Sequence, residues 1–505
     1  MGKRIIVHIS NTGIALASLV ALTMVAGAAS AAPLARPVPK ANRGAHLKTA
    51  LQTWSTTPEI ITSEYEYHEP TNQAKNQQYG GQVALSGDGQ TLAVADVWYF
   101  GGSEWPWYGS GAVYVYRRVS GSWQLEAKLE PPAARGYDSF GSDVALNMAG
   151  DVLVVGSQYE GYDAPSQDAG PGSAFVYIRS NGAWTQESML RASRAQDSSS
   201  FGRAVEISSA GDVVAVGAPY EAVDVGGGTQ SAAGAVYVFT KQAGAWTEQQ
   251  ALTAPAPQSN DWFGWGVRLS EDGRALAVLA AEQNPDTEDF DLGGWPNRAN
   301  TLYVFQNEGD SWNVAAEFAG SASEPHLGGT AYEPEGQSEG FDLSADGSML
   351  AIGSPYAAAA DGTTGVIRMY GRSANQWLPT STVLTPALPE RRSFGTRVTL
   401  SGAGGSLVAF ADRDDGAYGH PYVVAFDQRQ NQWQQTAVFE SPAAVPIAAG
   451  FANSLALSSA GDYLTFGTRT FATETSSWGA AFNYGRQAEQ GQSITTKRMR
   501  SSSWP

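Results

Sequence analysis

Short runs in which apolar and polar positions alternate recur along this chain, as in Val83-Ala84-Leu85 and Ala112-Val113-Tyr114-Val115-Tyr116. Period-two alternation rich in β-branched and aromatic residues predicts strands, and no stretch carries a convincing helical period. Turn-forming clusters such as Ser86-Gly87-Asp88-Gly89 separate the runs. Gly and Asp accept the backbone of a tight hairpin, so these clusters predict chain reversals.

The runs repeat as a block. Phe140-Gly141, Phe201-Gly202, Phe263-Gly264 and Phe394-Gly395 each open a similar strand, with Tyr79-Gly80 and Phe451-Ala452 as variants. A degraded copy has Gln337-Ser338 at that place but keeps the frame in Phe341-Asp342-Leu343-Ser344. The seven starts lie 57 to 74 residues apart, a period suited to propeller blades. Each block has room for four strands, and in six of them a fourth strand opens at Trp123, Trp184, Trp246, Trp312, Trp377 or Trp433. The last block ends near Tyr484 without such a strand, while Trp54 stands ahead of the first block. The pattern predicts an all-β, seven-bladed β-propeller of four-stranded antiparallel blades. The segment from Thr53 to Ile61 completes the last blade and so closes the ring, hiding the sheet edges.

The Phe-Gly starts, together with Val216-Gly217-Ala218-Pro219, resemble FG-GAP repeats of the integrin α-chain propeller type. The Leu-Ser-x-x-Gly turn and the Trp-led fourth strand resemble bacterial secreted versions of that family. The resemblance covers about residues 51–492. The GAP element departs in most copies: Gly353-Ser354-Pro355 is close and Gly156-Ser157-Gln158 less so. The resemblance implies the propeller fold but no single activity, because propellers host many. Blades of the family often hold calcium in a D-x-D-x-D-G loop between the first two strands. Here those turns are Ser86-Gly87-Asp88-Gly89, Ser208-Ser209-Ala210-Gly211 and Ser344-Ala345-Asp346-Gly347, with one carboxylate or none. Calcium needs several converging oxygens, so the family's calcium sites are not carried over and no cofactor is expected.

The N-terminus reads as a signal peptide over residues 1–31. Lys3 and Arg4 precede an apolar run from Ile14 to Ala29, and Ala29-Ser30-Ala31 gives the small-x-small pattern for cleavage near Ala31. A flexible leader over residues 32–50, the propeller over residues 51–492 and a disordered basic tail over residues 493–505 follow. The expected product is secreted, extracellular or periplasmic, monomeric and without stable membrane insertion. The 505 residues include no cysteine, which excludes disulfides and a thiol nucleophile. With 31 basic and 49 acidic residues the net charge is −18, which argues against nucleic acid as a partner. The five histidines lack zinc-ligand spacing.

The loops between second and third strands are the long, variable ones, so their face is the expected binding surface. One of them holds the candidate ligand-binding residues Trp98, Tyr99, Trp105, Trp107 and Tyr108. They form either a platform for a sugar face or apolar partner, or a lid folded onto the first blade. Asp286, Asp289 and Asp291 in one loop, and Asp412 and Asp414 in another, are weak metal candidates or simply solvated acidic loops. Glu206, Arg268 and Asp342 share one repeat position in successive blades. They either line a channel or form an ion-pair ladder, and the ladder is favoured because buried charges normally occur paired. The leading functional reading is a non-enzymatic binding or adhesion module with a protein or glycan ligand outside the cell. A propeller hydrolase acting on glycans or phosphate esters, and a structural component of an envelope assembly, are the alternatives.

Overall fold

Strands this short cannot bury an apolar face alone, and the repeat solves this by stacking blade on blade. A computed structural model describes residues 52–62, 78–99, 109–133, 136–161, 169–281, 299–309, 311–321, 324, 326–329, 339–359, 362–374, 376–388, 391–413, 421–440, 452–472 and 477–488. The expected signal peptide, leader and tail lie outside the described residues. Trp54–Gln487 forms one compact unit.

Every regular element among the described residues is a β-strand. Blade one runs through Tyr79–Leu85, Thr91–Asp96, Ala112–Val119 and Ser122–Leu129, each antiparallel to the last. The first strands of blades two to seven are Phe140–Leu146, Val205–Ile207, Phe263–Leu269, Phe341–Leu343, Val398–Leu400 and Ser454–Leu457. Each lies beside the first strands of the two neighbouring blades, and the seventh returns to the first, so these strands ring a central axis. The result is the seven-bladed propeller that the repeat predicts.

The core is distributed between blades. Val113 and Val115 of blade one pack with Phe140, Val144 and Leu146 of blade two, and comparable apolar clusters fill the other interfaces. The motif glycines make this stacking possible. Gly264, in the left-handed region at φ +91°, brings its carbonyl against Gly217 of the preceding blade, and a Cβ on Gly217 would collide with that oxygen. Gly395 and Gly353 repeat the arrangement. The Phe-Gly and Gly-Ala-Pro elements are therefore two halves of one inter-blade contact, where only glycine gives the backbones room.

Closure follows the expectation. Glu59–Thr62 pairs antiparallel with the third strand of blade seven, setting Ile60 opposite Phe482. The Trp54 ring is buried edge-on to Phe439 of blade six at 5.6 Å, with the Arg486 guanidinium 4.6 Å from its centre. From blade seven, Asn453 donates its amide to the Gly81 carbonyl of blade one at 2.9 Å.

Fourth-strand tryptophans can act as clasps between blades. Trp184 Nε1 donates to Glu126 of the preceding blade at 3.0 Å, and Arg179 holds the same carboxylate with two donors at 2.8 and 2.6 Å. Trp246, Lys241 and Glu187 repeat the clasp one blade on. On the short-hairpin face the turn carboxylates serve the turns: Ser86, Ser270 and Ser344 donate their hydroxyls to Asp88, Asp272 and Asp346 at 2.5, 2.6 and 2.7 Å.

Candidate functional site

Side chains of the first strands meet around the axis and leave two cavities, one above the other, with Gln82 in the wall of both. The lower cavity, about 180 Å³, extends toward the short hairpins at Gly87, Met148, Ser209 and Ser459. Its lining carries the acids Asp143, Glu206, Glu271, Glu339 and Asp342 with the cations Arg268 and Arg397. Arg268 of blade four faces Glu206 of blade three at 3.6 Å, Asp342 of blade five at 3.8 Å, and pairs with Glu339. Adjacent first strands do not form a sheet with one another, so their free N–H groups need other acceptors. Asp143 supplies one, accepting from Val205 N of the next blade at 2.7 Å. Asp342 does the same for Leu400 N at 2.8 Å.

Burial dominates the titration of these acids. It pushes Glu206 up to about 8, with Arg268 pulling the other way and the charges of Asp143 and Asp342 adding to the rise. Burial lifts Asp143 to about 6 against the Val205 N–H, Arg268 and the Val144 N–H, and raises Asp342 as well. The lower cavity is thus an inter-blade ion cluster that centres on the repeat position read from the sequence. Asp143 and Glu339, which sit at other positions of the repeat, join it.

The upper cavity, about 270 Å³, opens among the loops of the long-loop face. Gln78, Gln82, Trp98, Tyr137, Ser142, Gln158, Tyr159, Arg203 and Arg469 are among its lining residues, and none of the described lining residues is acidic. Arg203 directly follows Phe201-Gly202, as Ser142 follows Phe140-Gly141 and Gly81 follows Tyr79-Gly80, and all three line this cavity. It is buried, with its guanidinium 3.9 Å from the centre of the Trp265 ring, and Trp265 stacks on Trp262 at 5.0 Å. Burial lowers its pKa, while Tyr220, Tyr159 and Asp143 act to raise it. Arg469 comes from Tyr463–Ala472 in blade seven and lies across Gly81, where a Cβ would stand 3.7 Å from its Nε. Asp96 ties two parts of the wall together. Its buried carboxylate accepts the Gln78 N–H at 3.1 Å and a backbone bond from Trp98. Burial pushes it up to about 7, opposed by those two bonds and by Lys128.

Two of the five aromatic candidates fall within the described residues, and they diverge. Trp98 is half-buried in the wall of the upper cavity. Tyr99 packs into the core between blades seven and one, with Lys128 Nζ 3.5 Å from its ring centre. Trp105, Trp107 and Tyr108 lie outside the described residues, as do Asp286, Asp289, Asp291 and Asp414. The backbone of Asp412 pairs with Arg392 on the first-strand side of the second strand of blade six. Among the described residues no three His, Asp or Glu side chains are grouped to hold a metal ion. The sequence reading missed Arg203, Arg469, Asp143 and the glutamines. Arg203 was the findable one, since the column after Phe-Gly reads Gly81, Ser142, Arg203, Trp265, Thr396 and Asn453.

Residues 123–177 and 184–239 match the family model of the FG-GAP repeat. Both segments begin at or within a fourth strand led by its tryptophan, Trp123 or Trp184. Among solved structures the chain is similar to Kuenenia stuttgartiensis hydrazine synthase, with 11% identity, a TM-score of 0.43, and coverage of 80% of this chain and 96% of that chain. A likeness at that level carries nothing about chemistry. No curated protein matches the sequence.

Proposed function

We propose that this chain, a β-propeller built of FG-GAP repeats, is a non-enzymatic binding module that engages its partner through the long-loop face, with the upper axial cavity as the focus of contact. FG-GAP propellers are interaction scaffolds by kind. The observation that carries the finer reading is the upper cavity itself: a concave site with Trp98, Tyr137 and Tyr159 beside amide and guanidinium donors. Aromatic rings next to a few polar groups are the usual make-up of a recognition pocket. The reading includes export, on the pattern of the first 31 residues, and a protein or glycan partner outside the cytoplasm.

The test is a screen of the full chain against glycans and cell-envelope proteins, repeated with Trp98→Ala. A ligand bound by the wild type and lost by the variant at unchanged melting temperature supports the reading. A ligand insensitive to Trp98→Ala but lost on changing the short hairpins, for example by Asp346→Ala, moves recognition to the opposite face and overturns it. The two arginines also keep the hydrolase alternative in play. Turnover of glycosides or phosphate esters by the wild type, abolished by Arg469→Gln, would replace binding with catalysis.

A further inference from the structure

The clasp between neighbouring blades lacks its acceptor at one interface. In the complete clasps a fourth-strand tryptophan and the third-strand cation paired opposite it, Trp184 with Arg179 and Trp246 with Lys241, converge on a glutamate of the preceding blade. That glutamate is the extra residue of a β-bulge in its own fourth strand: Glu126 between Leu125 and Ala127, Glu187 between Gln186 and Ser188. Blade three has Gln249 at its bulge, and this amide still accepts the Trp312 indole N–H at 3.2 Å. The bulge residue of blade four is Ala315, between Val314 and Ala316, with no side-chain acceptor to offer. Blade five nevertheless keeps both donors, Trp377 and, opposite it, Arg372. Trp377 Nε1 and Arg372 Nε are buried without a hydrogen-bond partner. The indole N–H groups of Trp54 and Trp123 are also unpaired, but the cations beside them are engaged, Arg486 with Asp427 and Arg118 over the Tyr463 ring. We propose that the notch between blades four and five binds an aspartate or glutamate side chain of a partner protein, in the place that Glu126 and Glu187 fill in the chain's own clasps. The proposal does not rest on the reading of the upper cavity.

The chain itself shows what this pair of donors holds. Arg179 grips Glu126 with two N–H groups while Trp184 adds a third. A guanidinium fork and an indole N–H are both donors only, so the matching ligand is an acceptor, and a carboxylate satisfies both at once. Leaving such donors buried and unpaired is costly, and an incoming carboxylate removes that cost. The notch is reachable. The fourth strands Trp312–Ala319 and Gln376–Leu384 lie side by side as the last strands of their blades, and Ala315 is only half-buried. Trp377 packs into the same apolar cluster as Phe318, which fixes the indole against blade four. Val314 and Leu378, the sequence neighbours of Ala315 and Trp377, are 44% and 51% exposed. They add apolar surface that a peptide can cover and a small free acid leaves unused. The net charge of −18 opposes a polyanion at long range, so the fit is to a single carboxylate among apolar groups, not to an acidic tract.

The experiment follows indole N–H resonances by nuclear magnetic resonance in the full chain with isotope-labelled tryptophan, the Trp377 signal being assigned by Trp377→Phe. The titrants are propionate, propionamide and a capped leucine-glutamate-valine tripeptide with its glutamine counterpart. Propionate should move the Trp377 signal saturably and propionamide should not. The Trp184 and Trp246 signals, whose carboxylates are in place, should stay still. The glutamate tripeptide should bind about tenfold tighter than propionate and about tenfold tighter than the glutamine form. Arg372→Gln should weaken it by about tenfold. Ala315→Glu supplies the acceptor from within: it should raise the melting temperature and abolish the response of Trp377 to every titrant. Equal responses to propionate and propionamide overturn the proposal, as does a propionate response that survives Ala315→Glu. A lower melting temperature in Ala315→Glu means that the donors do not converge on that position and overturns it too. A tripeptide that binds no tighter than propionate makes the notch a site for small free acids and overturns the protein partner.

Discussion

The lower and upper cavities share an axis and a wall residue, Gln82, but differ in what their charges do. In the lower one charges join neighbouring blades: Arg268 faces Glu206, Glu339 and Asp342, and Asp143 and Asp342 accept N–H groups of the next blade. Buried acids there hold neighbouring blades in register. In the upper one the charged groups are cations set among amides, hydroxyls and rings, on the face of the variable loops. The difference teaches that a propeller axis can be divided, with acids linking neighbouring blades at one end and arginines set among amides and rings at the other.

The largest effect should come from opening the ring, which removes both cavities together. Deleting residues 32–64 strips the strand that sets Ile60 against Phe482 and the Trp54 ring against Phe439. Thermal unfolding followed by circular dichroism should then show one transition lowered by many degrees. An unchanged melting temperature would separate the two cavities from closure.

Next comes Arg268→Met, which attacks the lower cavity alone. It leaves Glu206, Glu339 and Asp342 without their common cation, a loss of about 3–5 kcal/mol by denaturant titration. Partner binding through the long-loop face by whatever fraction remains folded should be unchanged. A loss of affinity would mean that the cavities act as one.

A smaller effect separates them by pH. The folded-state pKa values of Glu206, about 8, and Asp143, about 6, are raised by burial above the ordinary carboxylate range. The folded state therefore holds these protons more tightly than the unfolded chain. Stability from these groups is greatest when they are protonated and falls as pH rises from the unfolded carboxylate range toward about 8. Glu206→Gln removes the larger part of that dependence. The variant should melt higher than the wild type at about pH 8 and show a flatter stability profile. A wild-type melting temperature that rises steadily over this window would contradict it.

What could be read in advance follows from distance along the chain. The Phe-Gly frame, the Trp rhythm and the missing last strand are legible because strand alternation and hairpin chemistry are local and the repeat samples them seven times. Even the cluster of Glu206, Arg268 and Asp342 shows, because equivalent positions in a ring face the same axis. Trp98 and Tyr99 show where this ends. They are neighbours with the same aromatic character, yet one turns to the cavity and the other into the core beside Lys128. Nothing in the alternation assigns those directions within a loop.

The sequence by itself thus determined the strands, their number per blade, the closing segment and the glycines at the inter-blade contacts, since each depends on backbone geometry and apolar burial repeated block by block. The tertiary structure alone decided that Arg203 of blade three and Arg469 of blade seven share one wall with Trp98, and that Asp143 and Glu339 join the acids below. Those residues lie up to hundreds of positions apart and belong to no local pattern. Only closing the ring brings them within reach of one another, and their charges acquire a meaning only from the burial and neighbours that closure gives them.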